Sequence, residues 1–96
     1  MNYPAITRDK IPFEVLKDEE VLTEKEARRS RQTKLLRAAQ HNRIFYSKAT
    51  IVFETWDGPK EVSANIWEVT DKNVLLKGGV NIPVCCIRDV VIESDN

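Results

Sequence analysis

The feature that most constrains this chain is a change in the spacing of its apolar residues near position 47. Before that point, Ala27, Leu35 and Ala38 recur on one arc at about 100° per residue, the repeat of a helix. After it, the run "KATIVFETW" alternates apolar and polar residues, the repeat of a strand. The sequence therefore predicts an N-terminal helical arm over residues 1–46 and a β domain over 47–96.

The main helix is predicted over about residues 23–41. Thr23 and Glu26 have the spacing of a capping box, and "HN" at 41–42 is a typical place for a helix to stop. The second half of this helix is expected to pack on the rest of the fold, whereas residues 24–31 are expected to project or to meet a partner. The packing residues are predicted to be Leu35, Leu36, Ala38 and Ala39.

A further short helix is predicted to begin near Pro12. Its expected apolar contacts are made by Phe13, Leu16 and Val21.

The first two strands are predicted to pair across a turn at Asp57-Gly58. This register places Phe53 opposite Val62 and brings the two apolar faces together, as a hairpin requires. Two features oppose the register: Pro59 has no N–H to close the turn, and Glu54 falls opposite Glu61. An open or lengthened turn is therefore expected.

Three more strands are predicted from the remaining apolar runs. These are "VLLK", then "VNIPVCC" with Val80, Ile82, Val84 and Cys86 facing inward, then a closing strand after a tight turn at Arg88-Asp89. Closing a small sheet removes its exposed edges. The predicted fold class is α+β, mainly β: a helical arm followed by a five-stranded antiparallel barrel.

The segment "KNVLLKGGVNIPVCCIRDVVIE" at 72–93 resembles the later strands of small bacterial SH3-like or Sm-like barrels. In those barrels a turn of the kind Ile-Pro-x-x-x-Ile links the last two strands, and a helix ahead of five strands is similar to the Sm-like order. The resemblance covers about residues 25–93. It implies RNA binding, protein docking or oligomer assembly without choosing among them.

The chain is neutral overall, but its charge is unevenly distributed. Residues 25–48 carry eight basic side chains against one acidic side chain, and both flanking regions are acidic. The basic helix can lie solvated or against its own acidic domain, meet a protein partner or another copy, or contact phosphates. The candidate binding residues on it are Arg28, Arg29, Arg31, Lys34 and Arg37.

The two tryptophans are further candidates for binding. Trp56 and Trp67 are predicted on the outward face of the first hairpin with Val52 and Val69. A patch of that kind is typical of a contact with another surface, unless the N-terminal arm covers it.

The sequence gives little indication of catalysis. His41 is expected to stabilise a helix end, and Cys85 and Cys86 would point to opposite faces of a strand, so that only one is buried. No zinc spacing is present, and no catalytic residues are predicted. "RRSR" at 28–31 resembles the arginine element with which PilZ domains hold cyclic di-GMP, but the companion motif is absent, so no cofactor is predicted.

No apolar run approaches the roughly 20 residues of a membrane-spanning helix, and neither a secretory h-region nor a transit peptide is recognised, so a cytoplasmic location is expected. The leading hypothesis is a noncatalytic module that binds a protein partner or itself through the helical arm and the tryptophan-bearing face. The alternative is a small RNA- or DNA-binding barrel whose basic helix contacts phosphates.

Overall fold

Helix α1 (Lys25–Phe45) is followed by six strands in two antiparallel sheets in the computed structural model, which describes residues 3–93. The first sheet has the order β2–β1–β6 and the second has the order β3–β4–β5. Two 3-10 helices, Arg8–Phe13 and Val84–Cys86, precede α1 and β6. The strands are β1 (Ala49–Thr55), β2 (Gly58–Ala64), β3 (Ile66–Val69), β4 (Asn73–Leu76), β5 (Asn81–Pro83) and β6 (Ile87–Ile92).

The predicted class, α+β and mainly β, is confirmed, but the five-stranded closed barrel is wrong. The second predicted strand, "KEVSANIWEV" at 60–69, is interrupted at Asn65, which separates β2 in one sheet from β3 in the other. Asn65 is buried, and its side-chain amide donates hydrogen bonds to the carbonyl oxygens of Tyr46 (3.3 Å) and Ser47 (3.1 Å). The residue therefore leaves the strand ladder to hold the end of α1.

The first hairpin forms with a shifted register. Its two turn residues are Trp56 and Asp57, and Ile51 lies opposite Val62. This shift removes both difficulties seen in the sequence, because Pro59 no longer has to close the turn and Glu54 lies opposite Pro59. Gly58, with φ of 112°, takes the left-handed backbone at the turn. A shift of two positions leaves the apolar faces matched.

The last two strands are linked differently from the tight turn predicted at Arg88-Asp89. Both residues lie within β6, and the 3-10 helix Val84–Cys86 instead connects β5 in one sheet to β6 in the other. Ile82, Val84 and Cys86 are buried as predicted, whereas Val80 is only partly buried.

One hydrophobic core joins both sheets to α1. The alternation of β1 is confirmed, with Ala49, Ile51 and Phe53 all buried. Burying a side chain of the size of Ile51 or Phe53 stabilises the fold by about 1.5–3 kcal/mol. Ile11 of the first 3-10 helix enters this core, but Phe13, which the sequence assigned to packing, is 82% exposed.

The segment ahead of α1 lies along the sheets. A parallel bridge joins Ala5 to Glu61 on the outer edge of β2, and an antiparallel bridge joins Leu16 to Thr55. Farther along, the backbone N–H of Val21 donates to the carbonyl of Cys85 at 3.0 Å. These bonds satisfy backbone groups at strand edges that would otherwise be open.

Helix α1 begins and ends later than predicted. No side-chain cap forms at Glu24, so the capping box is absent, and the helix runs to Phe45. Tyr46 ends it in the left-handed conformation, with φ of 56°. Asn42 does not stop the helix, because its side chain is buried and donates to the carbonyl of Ile66 at 3.1 Å.

The inward side of α1 packs against one edge strand of each sheet. Arg31 donates to the carbonyl of Ile87 in β6 at 3.0 Å, and Gln32 donates to the carbonyl of Thr70, beside β3, at 3.2 Å. Leu35, Ala38 and Ala39 are buried as predicted, but Leu36 is 48% exposed. The helix thus spans both sheets along its length.

Replacing Asn42 by Ala should destabilise the protein by about 1–3 kcal/mol, because it leaves the Ile66 carbonyl and the Asn65 amide short of partners. The free energy of unfolding in urea measures the effect. Gln40→Ala, at an exposed position of the same helix, is the control and should change it by less than about 0.5 kcal/mol. Equal losses in the two variants would contradict the assigned role of Asn42.

Candidate functional site

Arg31, one of the predicted binding residues, is buried inside the molecule. Its side chain is 5% exposed, and its Nη1 and Nη2 donate to the two carboxylate oxygens of Glu20, each at 2.7 Å. The prediction that residues 24–31 project is therefore wrong at Arg31. This guanidinium joins the N-terminal segment, α1 and β6.

The hydrogen bonds from Arg31 hold the pKa of Glu20 below its ordinary value, and they outweigh the opposing effect of partial burial. Glu20 is therefore ionised at neutral pH and balances the buried guanidinium. Among the described residues, no partner is found for the Nε of Arg31.

Two more of the predicted residues also make contacts within the chain. Arg28 donates to the carbonyls of Leu22 (3.0 Å) and Thr23 (2.9 Å), which holds the loop that enters α1. Lys34 pairs with Asp89 of β6 at 3.1 Å. Arg28, Arg31 and Lys34 therefore connect α1 to other parts of the fold.

Arg29 and Arg37 are the predicted residues with no hydrogen bond or ion pair to another element of the described chain. Arg29 is 3.7 Å from Glu26, and both side chains are highly exposed, so this pair contributes little. Arg37 has no ion-pair partner in residues 3–93 and is exposed.

Trp56 and Trp67 are both exposed, at 56% and 45%, so the N-terminal segment does not cover them. They do not share the single hairpin face that the sequence predicts. Trp56 lies in the β1–β2 turn with the Lys17 ammonium 5.3 Å from its ring centroid, whereas Trp67 lies at an irregularity in β3 of the other sheet.

Sequence reasoning missed a group of exposed apolar side chains on the C-terminal half of α1. Ile44 is 74% exposed, Phe45 65% and Tyr46 70%. The apparent stop at His41-Asn42 placed these residues outside the helix, and Leu36 had been assigned to the core. We call the exposed residues Leu36, Arg37, Gln40, Arg43 and Ile44 the outer face of α1.

Two grooves flank the outer face. The groove between α1 and β3 has a volume of about 370 Å³ and contains Leu36, Arg43 and Val69. The groove between α1 and β6 has a volume of about 300 Å³ and contains Val90, Val91 and Ile92. Arg37 lines both grooves. No acidic residue occurs between Glu26 and Glu54, so the charges carried by this stretch of chain are all positive.

A third cavity, of about 380 Å³, lies beside the start of α1 and contains Arg31, Lys34 and Arg88. Each of these cations is bonded to a carboxylate, and Arg88 is bonded to Glu54. That bond is the largest cause of the lowered pKa of Glu54. The cavity is therefore electrostatically balanced and is a weak candidate for binding an anion.

Only one of the two cysteines is buried, as predicted: Cys86 is buried and Cys85 is half-buried, although neither lies in the predicted strand. Cys85 and Cys86 lie in a 3-10 helix, and burial raises the pKa of the Cys86 thiol to about 12 and that of Cys85 above its ordinary value. Neither thiol is therefore activated as a nucleophile. His41 Nδ1 lies 2.6 Å from Ser47 Oγ, and its ring stacks on Phe45.

Comparisons of the chain with family models, with curated proteins and with solved structures return no match. Across residues 3–93, no cluster of three or more metal-binding side chains occurs. Nor does any helix in this part of the chain combine the length and the apolar character needed to cross a bilayer. The outer face of α1 is the strongest candidate site on these observations.

The Arg31–Glu20 pair should respond asymmetrically to mutation. Glu20→Gln leaves a buried positive charge with weaker partners and should cost about 2 kcal/mol or more. Arg31→Met should cost less, because Glu20 is 34% exposed and can be hydrated. Urea unfolding at neutral pH measures both, and an equal or reversed order would contradict the assignment.

The same pair sets an acid dependence. The pKa of Glu20 is lower in the folded protein than its ordinary value of 4.5. Ionised Glu20 therefore makes its full contribution to the free energy of unfolding above pH 4.5, and this contribution is lost as the pH falls through the pKa of the folded protein. The advantage of the wild type over Glu20→Gln should therefore shrink in acid. Asp71→Asn, which changes an exposed acid in the β3–β4 turn without an ion pair in the described chain, is the control and should change the free energy of unfolding by less than about 0.5 kcal/mol.

Proposed function

We propose that the protein is a noncatalytic, cytoplasmic module that binds another protein surface through the outer face of α1. The observation that carries the proposal is that Leu36 and Ile44 lie two turns apart and are both exposed, with Arg37 and Arg43, which have no ion-pair partner within residues 3–93, between them. This replaces the tryptophan-bearing hairpin face by a helix face as the main contact.

The composition of this surface supports a protein contact. Exposed Leu, Ile and aromatic side chains lose contact with water when a partner covers them, which favours association. Arginine is enriched in protein interfaces, and Arg37 and Arg43 lie on the same face as Leu36 and Ile44. The grooves on both sides of the helix can accommodate side chains of a partner.

Nucleic acid is the second candidate, favoured by exposed Arg29 and Arg37 and by an exposed tryptophan that could stack on a base. It has less support, because three of the five predicted phosphate ligands, Arg28, Arg31 and Lys34, bond other segments of the chain. The zero net charge also differs from the strong positive excess of most nucleic-acid-binding domains.

We also propose a relationship to SH3-like and Sm-like domains. It is supported by a helix ahead of the strands, by the pairing of β1 with both β2 and β6, and by a 3-10 turn at Val84–Cys86 before the last strand. The relationship bears on ancestry of the fold and transfers no activity.

The proposal predicts site-specific cross-linking from the outer face. A photoreactive phenylalanine analogue at position 44, introduced in cells that normally make the protein, should give a discrete protein adduct. The same analogue at exposed position 72, in the β3–β4 turn, is the matched control and should give none. Combining the probe at 44 with Arg37→Glu should weaken the adduct. Absence of any adduct from positions 36 and 44 would contradict the proposal.

The nucleic-acid candidate is tested by fluorescence anisotropy with labelled single-stranded RNA and double-stranded DNA. The protein-binding proposal expects no salt-sensitive binding between about 50 and about 200 mM salt. Affinity that falls steeply over this range and is lost in Arg29→Glu and Arg37→Glu would replace the protein-binding proposal by the nucleic-acid one.

A further inference from the structure

We propose that the surface bound by the outer face of α1 is an acidic, apolar surface on a second copy of this chain, so that copies associate head to tail. The inference rests on the proposed function and names its partner. It follows from a second exposed apolar group, from the charges around it and from its position in the fold.

The second group lies at the tip of the β1–β2 hairpin and consists of Phe13, Val15 and Trp56, which we call the tip surface. These side chains are 82%, 67% and 56% exposed. The backbone N–H of Trp56 donates to the carbonyl of Val15 at 3.1 Å, and the neighbouring Leu16–Thr55 bridge fixes the same two segments. The tip surface is therefore held in place by backbone pairing and can be recognised as a unit.

The charges around the tip surface are negative on balance. In the segments 10–20 and 54–60, the charged side chains that lack an ion-pair partner within residues 3–93 are three acids and one base. They are Asp18, Glu19, Asp57 and Lys10. Lys60 is balanced by Glu14, whereas Glu54 is shared by Lys17 and Arg88, so these last three side chains leave one positive charge.

The outer face of α1 carries the opposite charge. Arg37 and Arg43 are exposed and unpaired within the described chain, and no acid lies on α1 beyond Glu26. The exposed side chains of Leu36 and Ile44 can pack against Phe13, Val15 and Trp56 of a second copy. The two surfaces are therefore complementary both in charge and in apolar character.

The two surfaces cannot meet within one molecule. The end of α1 connects through Tyr46 to the start of β1 at Ala49, whereas the tip lies at the far end of the same hairpin. Seven strand residues separate these ends, a distance of about 20 Å. A contact between the surfaces must therefore join different copies.

A symmetric contact is disfavoured by the same charges. Two outer faces brought together would oppose arginines with arginines, and two tip surfaces would oppose acids with acids. Pairing of unlike surfaces avoids both repulsions. Such a heterologous contact leaves one free surface at each end, so it continues into a ring or an open chain.

Sedimentation velocity over a range of protein concentrations tests the inference, using one variant for each surface. Arg37→Glu with Arg43→Glu reverses the outer face, and Asp18→Lys with Glu19→Lys reverses the charge beside the tip. All four side chains are exposed. The wild type and the control Lys72→Glu should sediment faster as concentration rises, whereas each double variant alone should remain a monomer.

An equimolar mixture of the two double variants gives the decisive result. The intact tip of one variant complements the intact outer face of the other, and the two reversed surfaces are also opposite in charge, so the mixture should associate although neither variant does so alone. The variant carrying all four substitutions has exchanged charges and should again self-associate, which also shows that loss in the double variants is not a folding defect. With Trp67→Phe as background, Trp56 emission should shift to the blue on association.

A wild type that stays monomeric at every concentration overturns this inference. So does a tip variant that still dimerises alone, because that result requires a symmetric contact through α1. An adduct at position 44 whose mass differs from two copies of the chain would retain the proposed function while rejecting self-association, so the two failures are distinguishable.

Discussion

The buried guanidinium of Arg31 fixes how α1 is rotated on the sheets. It bonds Glu20 of the preceding segment and the carbonyl of Ile87 in β6, so three separate parts of the chain meet at one charge. A charge that is 5% exposed is costly without such partners, which ties the helix to this orientation. Because each residue turns the helix by about 100°, this orientation also decides that Leu36, Gln40 and Ile44 face away from the core.

The basic run of α1 therefore has two roles that follow from geometry. Arg28, Arg31 and Lys34 hold the helix to the loop, the N-terminal segment and β6, while Arg37 and Arg43 stay on the outside beside apolar side chains. The N-terminal segment is pinned along β2 and β1 and leaves Phe13 and Val15 uncovered near the acidic residues that follow. A chain with no net charge thus presents a basic apolar surface at one end of a hairpin and an acidic apolar surface at the other.

Local periodicity predicted the elements well where neighbours along the chain decide the outcome, as in the inward face of β1 and the Leu35–Ala39 side of α1. It failed where a distant partner decides. The helix continues past its predicted end at His41-Asn42, because Asn42 forms hydrogen bonds with Ile66 and Asn65, which lie 24 and 23 residues away in the chain. Arg31 was placed outside for the same reason, since Glu20 and Ile87 lie 11 and 56 residues away. The sequence left open whether the N-terminal segment covers the tryptophans, and it did not indicate the outer face of α1, because the C-terminal part of that face fell beyond the predicted helix end.

Native-state hydrogen exchange is the most direct test of whether α1 opens independently of the sheets. If Arg31 and the core fix the helix, amides of Leu35, Ala38 and Ala39 should exchange as slowly as those of Ile51 and Phe53, because all of them open only when the whole molecule unfolds. Exchange along α1 that is orders of magnitude faster than in β1 would show that the helix detaches on its own. In that case its outer face would have no fixed position, and the account of the binding surface would be contradicted.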